Sequence, residues 1–245
     1  MTGRGFRTRP IAIVTAVIFT IGGGLVAGAT RARRHEVVTG LEAAELMPLQ
    51  VTHYDVRLEP LVASKSVTGS VALSLNRSAA PGDALALDRG ELIIDAVEQD
   101  GQSLTFETPP RMLVVTFPAL TPSAPATPKG RAGPGRGPLT IRYHGTPKFG
   151  LEFAPDRPAV YTIFSTSQWV VADDAPSRRA TWRLSLIVPR GWTVIAAGRE
   201  VGRQPLDADR EVAEWRQDLP IPSYTFGFVA GPMTRISEQV GSVTL

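Results

Sequence analysis

The sequence contains no cysteine among its 245 residues. The chain therefore forms no disulfide, presents no thiolate nucleophile and offers no cysteine ligand to zinc. Its stability must come from a packed core rather than from covalent cross-links. A chain of this length that is 43% hydrophobic can build such a core in one or two domains.

Histidine is also scarce, with three in the whole chain. His35 and Glu36 begin an HExxH pattern, in which two histidines on one helix face hold zinc and the glutamate activates a bound water. Position 39 is Thr, so the second ligand is missing. His53 is interpreted as a surface residue on the polar face of a strand, and His144 as a surface residue beside a turn. The sequence predicts no metal site and no cofactor within this chain.

A basic surface is missing too, although 26 basic residues outnumber 23 acidic ones. Six of the basic residues are arginines within residues 1–34, a segment without any acid. The remainder is slightly acidic, whereas a nucleic-acid-binding domain needs a clustered basic face. We therefore predict no nucleic-acid partner.

One long hydrophobic run stands at the amino end. Residues 11–29 contain no charge, and as a helix they would extend roughly 28 Å, close to the thickness of a bilayer core. The length favours an uncleaved transmembrane anchor, while Ala27-Gly-Ala29 fits a signal-peptidase site. We predict a single-pass membrane protein with a cytoplasmic-side basic tail (1–10), an anchor or signal segment (11–29), a juxtamembrane linker (30–50) and an extracytoplasmic remainder.

Helical periodicity is absent beyond residue 50, and short strand patterns replace it. Tyr54, Val56 and Leu58 alternate with polar residues, which indicates a strand with one buried face. Similar runs recur roughly every ten residues, as in sandwich folds. Asp100-Gly101 is typical of a tight hairpin turn, and Gly69 indicates a bulge or a close approach. The pattern predicts an all-β domain over residues 51–245, with two packed sheets.

A proline- and glycine-rich segment interrupts these strands at residues 118–138. It holds six prolines and four glycines. Proline lacks the N–H that a sheet needs, so this segment is predicted to be a surface loop within one domain.

The most informative stretch runs from Gln168 to Met233. Its first motif is an acidic residue, a proline, a basic residue, an alanine, a threonine and an aromatic residue, namely Asp174, Pro176, Arg179, Ala180, Thr181 and Trp182. A second motif, Pro220 to Gly231, includes Tyr224. A third match is Thr52 to Pro60, followed by Val67 to Val71.

In this order, the three motifs resemble the amino-terminal domain of the aminopeptidase N family, the gluzincin zinc aminopeptidases. The resemblance implies a saddle-shaped β-sandwich in which the motif residues are structural. It also implies that zinc and peptide hydrolysis belong to a catalytic domain, because this chain lacks the family's Gly-x-Met-Glu-Asn and HExxH motifs.

The family also places a Gln or Glu about a dozen residues before the motif's aspartate, where it helps to hold the substrate's amine. Counting back from Asp174 reaches Thr162 instead, and Gln168 is the only nearby amide. Gln168 is therefore our one weak candidate for substrate contact. The adjacent Asp173 and Asp174 are interpreted as a turn before Pro176 rather than as an acid–base pair.

The expected function is that of a membrane-anchored, non-catalytic amino-terminal domain of a zinc metallopeptidase, docked on its catalytic domain. The alternative is a stand-alone module that binds a protein or peptide at the membrane surface. The two differ in one visible feature: a docked domain presents a contiguous apolar patch, whereas a stand-alone module has a polar outer face.

Overall fold

The computed structural model describes residues 48–118, 137–234 and 238–244. These residues form seventeen strands and two short 3-10 helices, Thr166–Gln168 and Ser223–Thr225, and they include no α-helix. The prediction of an all-β fold is confirmed. None of the helices in the described part is long and apolar enough to cross a membrane. The predicted tail, anchor and most of the linker (1–47), and loop residues 119–136, lie outside the described ranges.

The largest sheet has eight strands in the order β13-β14-β11-β1-β2-β8-β4-β5. All its neighbours are antiparallel except β1 and β11, which pair in parallel with His53 opposite Thr181. The strands are β1 (Val51–Leu61), β2 (Ser66–Leu75), β4 (Ile93–Gln99), β5 (Gln102–Ser103), β8 (Leu139–Gly145), β11 (Arg179–Pro189), β13 (Arg199–Pro205) and β14 (Arg210–Pro222).

Three smaller sheets complete the domain. A four-stranded sheet has the order β12-β15-β10-β9, a three-stranded sheet the order β3-β7-β6, and β16 pairs with β17. The strands are β3 (Ala84–Asp88), β6 (Phe106–Glu107), β7 (Met112–Thr116), β9 (Leu151–Phe153), β10 (Val160–Thr162), β12 (Thr193–Ala196), β15 (Phe228–Gly231), β16 (Gln239–Val240) and β17 (Val243–Thr244). Hydrogen bonding thus divides the strands among four sheets rather than the two we expected.

The hydrophobic core is shared by the three larger sheets. Leu58 and Leu73 of the eight-stranded sheet, Leu113 of the three-stranded sheet, and Val160 and Phe228 of the four-stranded sheet belong to one buried cluster. On β1 and β2 the buried positions alternate with exposed or partly exposed ones over most of their length. The period-two pattern in the sequence therefore reports which side chains enter this core.

Two glycines confirm local expectations. Asp100 and Gly101 both have positive φ, 53° and 75°, and they join β4 to β5 in a tight hairpin, as such turns require. Gly69 pairs with Leu58 without a shift in register, so it is not a bulge. A Cβ at Gly69 would lie 2.8 Å from the Arg57 carbonyl oxygen and 3.0 Å from the Tyr143 hydroxyl. Gly69 therefore allows the Tyr143 ring to lie across the strand.

Candidate functional site

The motif segment starts with an unusual turn after β10. Phe164 and Ser165 have φ of 46° and 48°, a left-handed conformation that non-glycine residues rarely adopt. The turn is held at both ends, because the Ile163 N–H donates to the Gly150 carbonyl and the Thr166 hydroxyl donates to the Ser223 carbonyl. The backbone strain is thus supported by the surrounding structure.

Gln168 follows in the first 3-10 helix, and it is buried. Its side chain is 2% exposed, and its Oε1 atom has no hydrogen-bond partner among the described residues. Gly90 faces it closely, since a Cβ there would lie 2.3 Å from the Gln168 Nε2 atom. In the described structure the amide packs against protein rather than solvent. Its role as a substrate contact stays a prediction.

Thr162, which occupies the position where the family carries its amine-binding residue, has a structural role. Its hydroxyl donates to the Phe228 carbonyl at 3.2 Å and accepts from the Phe228 N–H at 2.9 Å. Both bonds tie the end of β10 to β15. In this chain the Thr162 side chain therefore joins two strands of the four-stranded sheet.

The adjacent carboxylates of Asp173 and Asp174 accept hydrogen bonds from backbone N–H and hydroxyl groups. Asp174 accepts from the Ser223 hydroxyl at 2.9 Å and from the Ser167 N–H at 3.3 Å. Asp173 accepts from the Ala175 N–H at 3.3 Å, and Pro176 follows in a turn that the Arg178 N–H closes on Ala175. The observed geometry agrees with the turn predicted from the sequence.

Distant residues complete this arrangement. The Asp173 N–H donates to the Tyr54 hydroxyl at 3.0 Å, and the Asp174 N–H donates to the Asp88 carboxylate at 3.1 Å. Arg178 also lies 3.5 Å from Asp173. Nothing in the local sequence signals these partners, because Tyr54 and Asp88 are 119 and 86 residues away.

The rest of the motif begins β11 and supplies the centre of the core. Arg179 is exposed opposite Pro222, Ala180 is buried, and Thr181 bonds His53 through its hydroxyl at 2.7 Å. Trp182 is fully buried and stacks on Phe226, with ring centroids 4.6 Å apart. Tyr224 and Gly231 of the second motif differ in setting. Tyr224 is exposed in the second 3-10 helix, whereas a Cβ at Gly231 would lie 2.8 Å from the Ala159 Cβ.

A polar groove of about 510 Å³ lies on the outer face of the eight-stranded sheet. Its arginines are paired with acids, Arg183 with Glu214 at 2.7 Å and Arg216 with Asp218. Burial lowers the pKa of His53, and Arg216 and Arg183 act in the same direction against the opposing negative charge of Asp55. The groove therefore presents a neutral imidazole among paired charges. It offers hydrogen bonding, but no activated nucleophile.

The carboxyl group of Asp173 makes the stability of the folded chain depend on pH. Burial raises the pKa of its carboxyl above the ordinary value, and the negative charges of Asp88 and Asp174 add to this effect. Together they outweigh the Ala175 N–H and the Arg178 charge, which lower the pKa. The native state then binds this proton more tightly than the unfolded state does. The contribution of Asp173 to stability is therefore fully present below its ordinary pKa of about 4 and is lost as the pH rises through the raised value.

We expect Asp173→Asn to become more stable relative to the parent chain as the pH rises from about 4 toward neutrality. The asparagine keeps an oxygen for the Ala175 N–H but carries no charge to be desolvated. The measurement is the urea midpoint of both proteins at several pH values. A stability difference that does not change with pH would contradict the raised pKa.

No group of three or more His, Asp or Glu side chains in the described ranges is placed to hold a metal ion. The arrangement of the motif is structural: it joins the loop before β11, the second 3-10 helix and β1. What the described arrangement offers is hydrogen bonding and apolar contact.

Comparisons by sequence found neither a matching family model nor a matching curated protein. Comparison by structure found zinc metallopeptidases. An M1 zinc metallopeptidase from Deinococcus radiodurans matches with a TM-score of 0.60 and 23% identity, over 81% of this chain and 46% of that chain. A two-domain M1 zinc metallopeptidase variant bound to L-tryptophan matches with a TM-score of 0.63 and 23% identity, with the same coverage.

Yeast LTA4 hydrolase in complex with bestatin matches with a TM-score of 0.58 and 21% identity, over 78% of this chain and 29% of that chain. This chain thus spans less than half of the structures it matches. The resemblance seen in the motifs is confirmed at the level of the fold: the described β-domain has the fold of a part of the M1 zinc metallopeptidases.

Proposed function

We propose that this chain is the non-catalytic amino-terminal domain of an M1-type zinc metallopeptidase. In this proposal the removal of amino-terminal residues from peptides belongs to a catalytic domain, which also holds the zinc. The β-domain forms one wall of the active-site cleft and docks on that catalytic domain. The support is the shared fold, which takes up most of this chain but less than half of the M1 proteins it matches.

The observation that favours a docked domain over a stand-alone module is the outer face of the four-stranded sheet. The side chains of Tyr161, Ile163 and Ile195 are apolar and exposed there. The outer face of the eight-stranded sheet instead carries ion pairs such as Arg142 with Glu98, beside separate exposed apolar residues such as Ile93. Since soluble surfaces rarely leave apolar residues contiguous, the smaller sheet has the character of an interface.

Membrane attachment is a further part of the proposal. Residues 11–29 supply an uncharged segment of bilayer length, and the arginines beyond its ends would lie near the headgroups. With the segment retained as an anchor, the β-domain stands on the extracytoplasmic side of the membrane. If the segment is instead cleaved after Ala29, the mature protein begins in the linker.

A blot of native cells and an assay of the immunoprecipitate test these points together. An antibody against the β-domain should detect a product well above the 26.3 kDa of this chain, in membranes washed with alkaline carbonate. The immunoprecipitate should contain zinc and should release amino-terminal residues from peptides. This chain expressed alone should do neither. A native product of 26.3 kDa without peptidase activity would overturn the metallopeptidase proposal, and a product in the soluble fraction would overturn the anchor.

A further inference from the structure

The outer face of the four-stranded sheet is built by one row of paired residues. Ile195 on β12 pairs with Val229 on β15, Val229 pairs with Tyr161 on β10, and Tyr161 pairs with Glu152 on β9. Paired residues of neighbouring strands share a face, and the residues next to them, such as Val194, Ala230 and Val160, are buried on the other side. Three apolar side chains therefore lie side by side on the outward side.

The row continues into the strained turn. Ile163 follows directly after the end of β10, where its N–H donates to the Gly150 carbonyl, and it is 49% exposed. Phe164 follows with 72% of its side chain exposed. We define the apolar face as Tyr161, Ile163, Phe164, Ile195 and Val229.

The turn holds Phe164 outward at an energetic cost. Two successive non-glycine residues in the left-handed region are strained, and an exposed phenylalanine offsets none of this strain within the described chain. Strain of this kind persists where the surroundings fix it, here the Gly150 carbonyl and the Ser223 carbonyl. The turn thus holds the backbone that carries this exposed ring in place before any partner arrives. A backbone restrained in this way loses little conformational entropy on binding.

We propose that the apolar face is a permanent interface with the catalytic body of the metallopeptidase, and that Phe164 inserts into an apolar pocket of that body. The inference rests on the proposed function and adds which face docks and which side chain anchors it. Residues on the polar face of the eight-stranded sheet take no part in this contact.

Two observations favour the catalytic body as the partner of the apolar face. The matched M1 proteins carry more than half of their length beyond the part that this chain covers, so their β-domain has a large body of the same chain beside it. In addition, Glu152 closes the apolar row at β9. A carboxylate at the edge of the face disfavours an anionic lipid surface and suits a protein partner with a polar rim.

The absence of cysteine makes this interface measurable. Ile195→Cys and Phe164→Cys each introduce the only thiol of this 245-residue chain. Ile93→Cys is the matched control, because Ile93 is also an isoleucine in a strand and is 56% exposed, compared with 54% for Ile195. Ile93 pairs with His144 on the polar face of the larger sheet. Maleimide labelling is followed at each site by mass spectrometry, in this chain and in the native-length protein.

In this chain alone, we expect the thiols of Ile195→Cys and Ile93→Cys to react at rates within about twofold of each other. In the native-length protein the thiols of Ile195→Cys and Phe164→Cys should react more than about tenfold more slowly, while that of Ile93→Cys is unchanged. If Phe164→Cys disturbs the turn, Ile195→Cys still tests the proposal, because Ile195 lies outside the turn.

Each other result overturns the proposal in a distinguishable way. Equal labelling at Ile195→Cys and Ile93→Cys in a native-length zinc peptidase would reject the docking face and leave the proposed function intact. Protection of Ile195→Cys that rises with the concentration of this chain alone would make a second copy the occupant. A native product no longer than this chain would reject both the occupant and the proposed function.

Discussion

Replacing Trp182 with alanine should lower the free energy of unfolding by about 3–5 kcal/mol, a large part of the roughly 5–15 kcal/mol of a typical domain. Trp182 is fully buried between two aromatic partners. It stacks on Phe226 with the rings 7° from parallel, and Trp169 meets its edge at 6.4 Å. The Trp182 indole also donates to the Ala197 carbonyl at 3.2 Å. Alanine would leave a large cavity and an unsatisfied carbonyl.

The measurement is urea unfolding of the full chain in detergent, followed by circular dichroism. Trp182→Phe is the graded control, because it keeps a ring over Phe226 and loses only the indole hydrogen bond and part of the volume. Trp192→Ala is the second control, since Trp192 is only partly buried at the edge of the core. If Trp182→Ala costs no more than Trp192→Ala, the Trp182 ring is not the centre of the core.

The sequence predicts part of this core, because the alternation of apolar residues on β1 marks the inward side chains directly. The hairpin at Asp100-Gly101 was predictable for a similar reason, since both residues tolerate the positive φ that the turn needs. In each case the physical cause acts within a few residues, so it leaves a local pattern.

Long-range pairing leaves no such pattern. The parallel ladder between β1 and β11 joins His53 to Thr181 across 128 residues, and no motif in either strand identifies its partner. Gln168 is buried by Gly90 and by the strained turn, neither of which its neighbours in sequence reveal. Phe164 is the clearest failure of local reasoning, because its left-handed backbone contradicts its own preference and is held by distant carbonyls.

The exposed face of the smaller sheet was anticipated only as a general expectation of an apolar patch. Its location depends on the register of β12, β15 and β10, which brings Ile195, Val229 and Tyr161 into one row. These residues belong to three separate segments of the chain. The sequence could therefore predict an apolar patch for a docked domain, but not which strands would form it.

Asp174 provides the last test, because its motif position invites a catalytic interpretation that the structure does not support. Its carboxylate accepts from the Ser223 hydroxyl and from the Ser167 N–H, and its own N–H donates to Asp88. Asp174 therefore connects the turn before β11 to the second 3-10 helix. Hydrogen bonds to a charged group contribute about 1.5–3 kcal/mol, so we expect Asp174→Ala to reduce the free energy of unfolding by an amount in this range.

Asp174→Asn should recover part of this loss, since its oxygen can still accept from the Ser223 hydroxyl. Asp218→Ala is the matched control: Asp218 pairs with Arg199 and Arg216 on the surface, where removal of an ion pair costs about 0–1 kcal/mol. If Asp174 has a structural role, Asp174→Ala in the native-length protein should lower the unfolding midpoint. The activity per folded molecule should stay near that of the parent. Loss of activity in Asp174→Ala without loss of stability would show instead that this carboxylate acts on substrate, and the motif would have to be reassigned from a structural role to the active-site cleft.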